Sequence, residues 1–193
     1  MGPQLVVVGT SMGGLRALEV LLGELPADFP VAIVIVQHRS ADSPSTLGAH
    51  IQEYTALPVS EVEDKEMIQP GRVYLAPAAY HVLIEASAFA LSTEAPVVHA
   101  RPSIDVLFES AADVYAEGVV GIILTGASRD GAQGLAKIKQ RGGVTLVQAP
   151  ETAECPIMPA AALEATPVDH VLPLAEIGPF LAQLCSTTAR KAL

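Results

Sequence analysis

The chain has 193 residues, enough for one domain with a substantial core, and we expect residues 1–193 to form a single domain. Half of the residues are hydrophobic, but no apolar run reaches the roughly 18 residues of a membrane span, so we expect no membrane insertion. No basic segment begins a signal peptide, which predicts a cytoplasmic protein. A formal net charge of −10, without basic runs and with few aromatic residues, argues against nucleic acid as a partner.

Apolar runs typical of buried strands alternate along most of the chain with amphipathic segments of helical spacing. The strands are predicted at residues 5–8, 31–36, 119–124 and 144–147, and the helices at residues 15–22, 46–54, 104–115 and 133–140. This alternation predicts a three-layer, doubly wound α/β fold, with a mainly parallel sheet and helices on both of its faces.

The middle and the end of the chain depart from this alternation. Three closely spaced strand candidates at residues 72–76, 81–85 and 89–92 predict an antiparallel hairpin, inserted in the sheet or at its edge, and hence a mixed sheet. The proline-rich stretch 150–159 is interpreted as a loop that leads into the last pair of helices.

A glycine-flanked serine joins the first predicted strand to the first predicted helix, in the sequence Gly9-Thr10-Ser11-Met12-Gly13-Gly14. The glycines allow a sharp turn that exposes the Ser11 hydroxyl at the helix N-terminus, which is typical of a nucleophile elbow. A dinucleotide-binding turn is disfavoured, because Ser11 replaces the middle glycine that approaches the pyrophosphate and no acidic residue ends the next strand. A serine that only caps the helix remains a second alternative.

Three polar side chains follow different strands of the predicted sheet. Ser11 follows the first strand, His38 follows the second, and Asp130 lies in the loop after the strand that ends at Leu124. Because ligands bind beyond the carboxyl ends of parallel strands, these residues are predicted to form a triad of nucleophile, general base and orienting carboxylate. The alternatives are a loop histidine bonded to backbone, and an aspartate that caps the next helix or pairs with Arg129.

The order Ser, His, Asp differs from that of α/β-hydrolases, so that fold is not expected. The other histidines are expected to be structural or solvent-facing: His50, His81, His99 and His170. Cys155 and Cys185 lie far apart and have no metal-ligand spacing, so we expect unpaired thiols.

Several sequence blocks, in this order along nearly the whole chain, match those of one known family. They are residues 9–14, Val36-Gln37-His38, residues 70–77, Arg101-Pro102-Ser103-Ile104-Asp105-Val106-Leu107-Phe108, residues 124–126 with 130–132, and Met158-Pro159. On these blocks the sequence resembles the catalytic domain of chemotaxis protein-glutamate methylesterases. The resemblance implies a serine hydrolase without cofactor or metal, which removes methyl esters from glutamate side chains of chemoreceptors and deamidates receptor glutamines through an acyl-enzyme.

The resemblance also implies roles for individual residues. Ser11, His38 and Asp130 match the triad of the family, and the backbone N–H groups of Met12 and Ala127 match its oxyanion hole. Methylated receptor helices are the expected partner.

Some features depart from the family pattern or leave a role open. Met12 stands where the family usually has threonine, and Ala127-Ser128 where it has Met-Gly, so that Ser128 lacks the freedom of glycine to adopt positive φ. Arg101 either positions the receptor helix or forms a surface ion pair.

The family's receiver domain does not precede this sequence, which indicates either a fragment or a stand-alone member, regulated by a separate receiver protein. The alternative function is a non-catalytic module that binds receptors or another partner with the same fold.

Overall fold

The computed structural model of the chain describes residues 2–40, 42 and 46–189, the last three by their backbone only. The strands in this part are β1 (Leu5–Thr10), β2 (Ala32–Gln37), β3 (Val59–Glu61), β4 (Val73–Leu75), β5 (His81–Glu85), β6 (Ala88–Ser92), β7 (Val119–Ile123), β8 (Val144–Gln148) and β9 (His170–Leu172). The α-helices are α1 (Gly14–Gly23), α2 (Leu47–Gln52), α3 (Ile104–Tyr115), α4 (Ala132–Gln140), α5 (Ile157–Ala165) and α6 (Leu174–Ala189). Each strand and helix predicted from the alternating pattern is present, with ends that differ by a few residues at most.

Helices cover both faces of the main sheet, which is why its central strands are apolar without alternation. Along β1, Leu5 and Val7 pack into one core while Val6 and Val8 pack into the other. The first core is closed by α3, α4, α5 and the hairpin β5–β6, and the second by α1, α2 and α6. The three-layer α/β architecture predicted from the sequence is confirmed.

Within the described residues the main sheet has the strand order β3-β4-β2-β1-β7-β8-β9, and every neighbouring pair is parallel. Within the sheet, β2 pairs with one edge of β1 and β7 pairs with its other edge. A switch of this kind opens a crevice at the carboxyl ends of the strands. The segments that follow β1, β2 and β7 therefore meet at one edge of the sheet.

The prediction that residues 72–76 belong with the antiparallel hairpin was wrong. β4 pairs in parallel with both β3 and β2, so it is part of the main sheet. The antiparallel hairpin consists of β5 and β6 alone and forms a separate two-stranded sheet. The main sheet is consequently parallel rather than mixed. No helix among the described residues is long and apolar enough to cross a membrane.

Candidate active site

Ser11 lies directly beyond the carboxyl end of β1, in the turn that enters α1. Its N–H donates to the Thr125 carbonyl (3.0 Å), and its own carbonyl accepts from the Gly14 N–H (2.9 Å). Gly13 caps α1 without any side-chain hydrogen bond, so Ser11 is not the helix cap that the sequence left open. The side chain is half-buried, and its hydroxyl makes no hydrogen bond within the described chain.

Two glycines allow the chain to pass closely around Ser11. Gly13 has a φ of 76°, in the left-handed region that residues with a Cβ rarely adopt. Gly126, in the loop after β7, lies so close to Ser11 that a Cβ at position 126 would come within 2.9 Å of the serine Cβ. The turn after β1 and the loop after β7 therefore meet at Ser11.

His38 follows β2, the strand beside β1. The register of the two strands ends with Thr10 opposite Gln37, so Ser11 and His38 are the next residues on neighbouring strands, which lie about 4.8 Å apart. The His38 N–H donates to the Thr10 carbonyl (3.0 Å), which holds the imidazole-bearing segment against β1. Among the described residues, the hydrogen bond made by the His38 ring goes to Asp130 and not to Ser11.

Asp130 lies in the loop between β7 and α4 and contacts His38 directly. Its Oδ2 atom is 2.7 Å from the Nε2 atom of His38, and the exposed fractions of the two side chains are 0% and 14%. Asp130 does not cap the adjacent helix α4, whose cap is Gly131. Arg129, the other partner considered for it, pairs with Glu164. Both alternatives considered for Asp130 are therefore excluded.

The Asp130 carboxylate caps a different helix, α3. Its Oδ1 accepts from the Ser103 hydroxyl (2.8 Å) and the Asp105 N–H (3.0 Å), and its Oδ2 also accepts from the Ile104 N–H (2.6 Å). Burial alone raises the pKa of Asp130, but the hydrogen bonds from His38 and from the start of α3 outweigh it and lower that pKa below its ordinary value. Asp130 is thus held as a carboxylate against the imidazole.

The reciprocal contact is made by Asp105, in the first turn of α3, whose carboxylate caps α4. Its Oδ1 accepts from the N–H groups of Gly131 (2.9 Å) and Gly134 (2.7 Å). Burial, together with the negative charge of Asp130, raises the pKa of Asp105 to about 6. The two helices that carry this part of the site are therefore tied to each other by two carboxylates, of which Asp105 binds a proton more readily than Asp130.

Gln37, the last residue of β2, links the segments that carry Ser11 and His38. Its side-chain Nε2 donates to the carbonyl of Ser11 (2.9 Å) and to the carbonyl of His38 (3.0 Å). A Cβ at position 14 would come within 2.1 Å of the Gln37 amide oxygen, so this packing requires Gly14. The glutamine therefore fixes how far apart the two main-chain segments lie.

The backbone N–H groups of Met12 and Ala127 donate no hydrogen bond to any described residue and are available to a ligand. Ser128 is not among the described non-glycine residues with positive φ, so the loop after β7 accommodates serine without backbone strain. The Ser128 hydroxyl accepts from the Asp130 N–H (3.1 Å) and so helps to hold the aspartate in place.

A cleft of about 460 Å³ opens beside His38, and Arg101 lies on its wall. The Nη1 atom of Arg101 donates to the carbonyls of Thr93 (2.8 Å) and Glu94 (3.0 Å). None of the ion pairs among the described residues includes Arg101, so the surface ion pair considered from the sequence is not present.

One other histidine supports the fold, and neither cysteine is paired. His81 is buried, where Nδ1 accepts from the Ser103 N–H (3.2 Å), and Nε2 lies 3.2 Å from the Ala95 carbonyl. It therefore supports the start of α3 together with Asp130. Cys155 and Cys185 are both free thiols, as expected from their spacing. Burial raises the pKa of Cys185 to about 12, which makes it an unreactive core residue.

Comparison with known proteins identifies the family of this chain. The family model described as CheB methylesterase matches residues 6–181 of the chain. The chain belongs to the CheB methylesterase family. It is similar, with 34% identity and a TM-score of 0.91, to the CheB methylesterase catalytic domain of Thermotoga maritima, and the match covers 95% of this chain and all of that one.

Two further CheB relatives differ in length. A Leptospira interrogans protein, whose name assigns it protein-glutamate methylesterase and protein-glutamine glutaminase activity provisionally, is 46% identical over 95% of this chain and 96% of its own length. A protein-glutamate methylesterase/protein-glutamine glutaminase of Carboxydothermus hydrogenoformans is 41% identical over 91% of this chain, but the match covers only 54% of that protein.

Sequence reasoning assigned no role at this candidate site to three residues, namely Gln37, Ser103 and Asp105. Gln37 carried a signal, since it is a polar residue at the end of a fully apolar strand and adjoins His38. Ser103 and Asp105 lie at the start of an apolar helix, which is typical of capping residues. Their partners, the Asp130 carboxylate and the start of α4, lie about 25 residues further along the chain. Only the folded structure brings these segments together.

Proposed function

We propose that this chain is a serine hydrolase that removes methyl esters from glutamate side chains of chemoreceptors and deamidates receptor glutamines through an acyl-enzyme. The observation that carries the proposal is the 2.7 Å hydrogen bond between His38 and a buried, ionised Asp130, one strand away from Ser11. Membership of the CheB methylesterase family supplies the substrate class.

The first step of the proposed mechanism depends on which imidazole nitrogen carries the proton. An ionised Asp130 can only accept a hydrogen bond, so Nε2 of His38 carries the proton and Nδ1 is the basic nitrogen. Nδ1 then takes the proton from the Ser11 hydroxyl as Oγ attacks the ester carbonyl carbon. Because the two side chains are not hydrogen-bonded beforehand, a small side-chain rotation precedes this transfer.

The remaining steps use groups around Ser11. The N–H groups of Met12 and Ala127 stabilise the oxyanion that forms on the former carbonyl oxygen. The imidazolium returns its proton to the leaving methoxide, which departs as methanol and leaves glutamate esterified to Ser11. Water then attacks this ester and gives its proton to His38, and the same proton restores the Ser11 hydroxyl as free glutamate is released. For a glutamine side chain, ammonia leaves in place of methanol.

The proposal extends to partners and location. The methylated helices of a chemoreceptor bind across the edge of the sheet that carries Ser11, with Arg101 as one contact, and the enzyme acts in the cytoplasm. A separate receiver protein regulates it if no receiver domain precedes it. No nucleic acid takes part in this scheme.

The proposed function is tested by methanol release from membranes that contain methylated receptors. We expect the wild-type protein to release methanol and Ser11→Ala to release none while it keeps the same melting temperature. Ser186→Ala, an exposed serine of α6, serves as the matched control and should retain full activity. Methanol release by Ser11→Ala at the wild-type rate would rule out serine catalysis.

A further inference from the structure

The cleft beside His38 is lined by basic side chains in a protein that is strongly acidic. Its described lining contains two arginines and two histidines and no carboxylate: His38, Arg39, His99 and Arg101. The whole chain, in contrast, has a net charge of −10. A lining of basic side chains without a carboxylate favours an anionic group in the cleft over one on the acidic remainder of the surface.

Arg39 is the most unusual residue of this cleft. The exposed fraction of its side chain is 8%, yet its Nε and Nη1 atoms are shielded from water and have no hydrogen-bond partner. The hydrogen bonds of this guanidinium involve Nη2 alone, which contacts the Glu61 carboxylate and donates to the Ala76 carbonyl (3.1 Å). Buried N–H groups of a charged residue without acceptors are unfavourable for stability, so a small turn of the Arg39 side chain that brings them to an acceptor in the cleft is favoured.

Arg101 provides a second cation at the same cleft. Two main-chain carbonyls bind its Nη1 atom, so its guanidinium is held in place before any ligand arrives. The neighbouring Glu94 contributes its carbonyl to this contact and its carboxylate forms no ion pair with Arg101. Two positioned guanidinium groups suit a carboxylate, which accepts up to four hydrogen bonds through two oxygens.

We propose that this cleft is a subsite for an acidic side chain of the polypeptide substrate, a glutamate or aspartate near the esterified glutamate. The inference rests on the proposed esterase function, because His38 lies at the junction between the cleft and Ser11. A carboxylate in the subsite is bound by Arg39 and Arg101 while the ester lies over Ser11. The enzyme therefore selects esters that have an acidic neighbour over esters that have neutral neighbours.

The test uses synthetic peptides that carry one glutamate γ-methyl ester and one glutamate placed at each position from four before to four after it. The same peptides with glutamine at the test position are the uncharged comparison, and methanol release gives kcat/KM for each, so that deamidation of the glutamine does not interfere. We expect wild-type kcat/KM to be higher for glutamate than for glutamine by about 10- to 100-fold at one or more positions, the size of a charged hydrogen-bonded contact.

Two variants assign this preference to the cleft. Arg39→Gln combined with Glu61→Gln removes the guanidinium without leaving its carboxylate partner unpaired, and Arg101→Gln removes the half-buried cation, so it remains usable if the first variant does not fold. Each should lower the glutamate preference by about tenfold or more. Arg141→Gln, at the C-terminal end of α4 and outside the cleft lining, is the control and should leave the preference unchanged.

The outcomes separate this subsite from the esterase function itself. Equal kcat/KM for the glutamate and glutamine peptides at all positions would overturn the subsite while leaving the esterase proposal intact. A preference that persists in both cleft variants would also overturn it. Failure of the wild-type enzyme to release methanol from any peptide or from methylated receptors would refute the esterase function and the subsite together.

Discussion

Replacement of Asp105 by asparagine separates the charge of this residue from its role as a helix cap. The Oδ1 atom that accepts from Gly131 and Gly134 remains in Asp105→Asn, whereas Asp105→Ala removes it. Burial and the charge of Asp130 raise the pKa of Asp105 from 3.8 to about 6. Since a shift of one pKa unit corresponds to about 1.4 kcal/mol, ionisation of Asp105 is about 3 kcal/mol less favourable in the folded protein than in the unfolded chain.

The sign follows from proton binding. Between about pH 4 and pH 6 the folded protein holds a proton on Asp105 that the unfolded chain has lost, so this group lowers the free energy of unfolding as the pH rises through that window. Relative to the wild type, Asp105→Asn should therefore gain about 3 kcal/mol between pH 4 and pH 7. Asp105→Ala should be less stable than Asp105→Asn by about 1–3 kcal/mol at every pH, because two buried N–H groups lose their acceptor.

Urea unfolding of the three proteins at intervals from pH 4 to pH 7.5 measures both effects. Asp113→Asn is the matched control, because Asp113 is half-exposed and its hydrogen bond from Lys137 lowers rather than raises its pKa. This control should not gain stability relative to the wild type as the pH rises. If the difference in unfolding free energy between Asp105→Asn and the wild type is the same at pH 4 and pH 7, Asp105 does not bind a proton in the folded protein and the reasoning fails.

Two further predictions concern residues that position the site. Asp130→Asn should lower kcat for methanol release by about four orders of magnitude, the effect of the same change in serine protease triads, and should also lower the melting temperature because α3 loses its charged cap. Near-normal turnover would make Asp130 a helix cap alone. Gln37→Met, which removes both donated hydrogen bonds at similar size, should lower kcat about tenfold with little change in KM. A variant that is less stable but has normal kcat would limit Gln37 to a structural role.

The layers of the fold were predictable because the hydrophobic pattern of this chain is strong. Strands such as β1 and β2 are apolar at successive positions, and α3 matches its predicted bounds because a serine precedes it and the apolar spacing ends at Tyr115. The pairing of β4 was not predictable in the same way. It has three residues, all buried, and its partners β2 and β3 are identified only when the sheet assembles.

The three residues of the candidate site that follow strands could be predicted from the sequence, but the contacts that support them could not. Ser11, His38 and Asp130 follow strands that become neighbours, so a rule about parallel sheets suffices to group them. The contacts that orient Asp130 come from the start of α3, a helix that precedes β7 in the chain and does not follow a strand of the main sheet. A pattern along the chain does not contain that information.

The capping role of Asp130 has an evolutionary consequence. A descendant of this protein that abandoned catalysis would be free to lose its serine and its histidine, but replacement of the aspartate would still remove buried hydrogen bonds at the start of α3. Selection for folding alone would then preserve the acidic residue in inactive copies. Among sequences of this kind, an intact aspartate is therefore weak evidence of enzymatic competence, whereas an intact serine and histidine are informative.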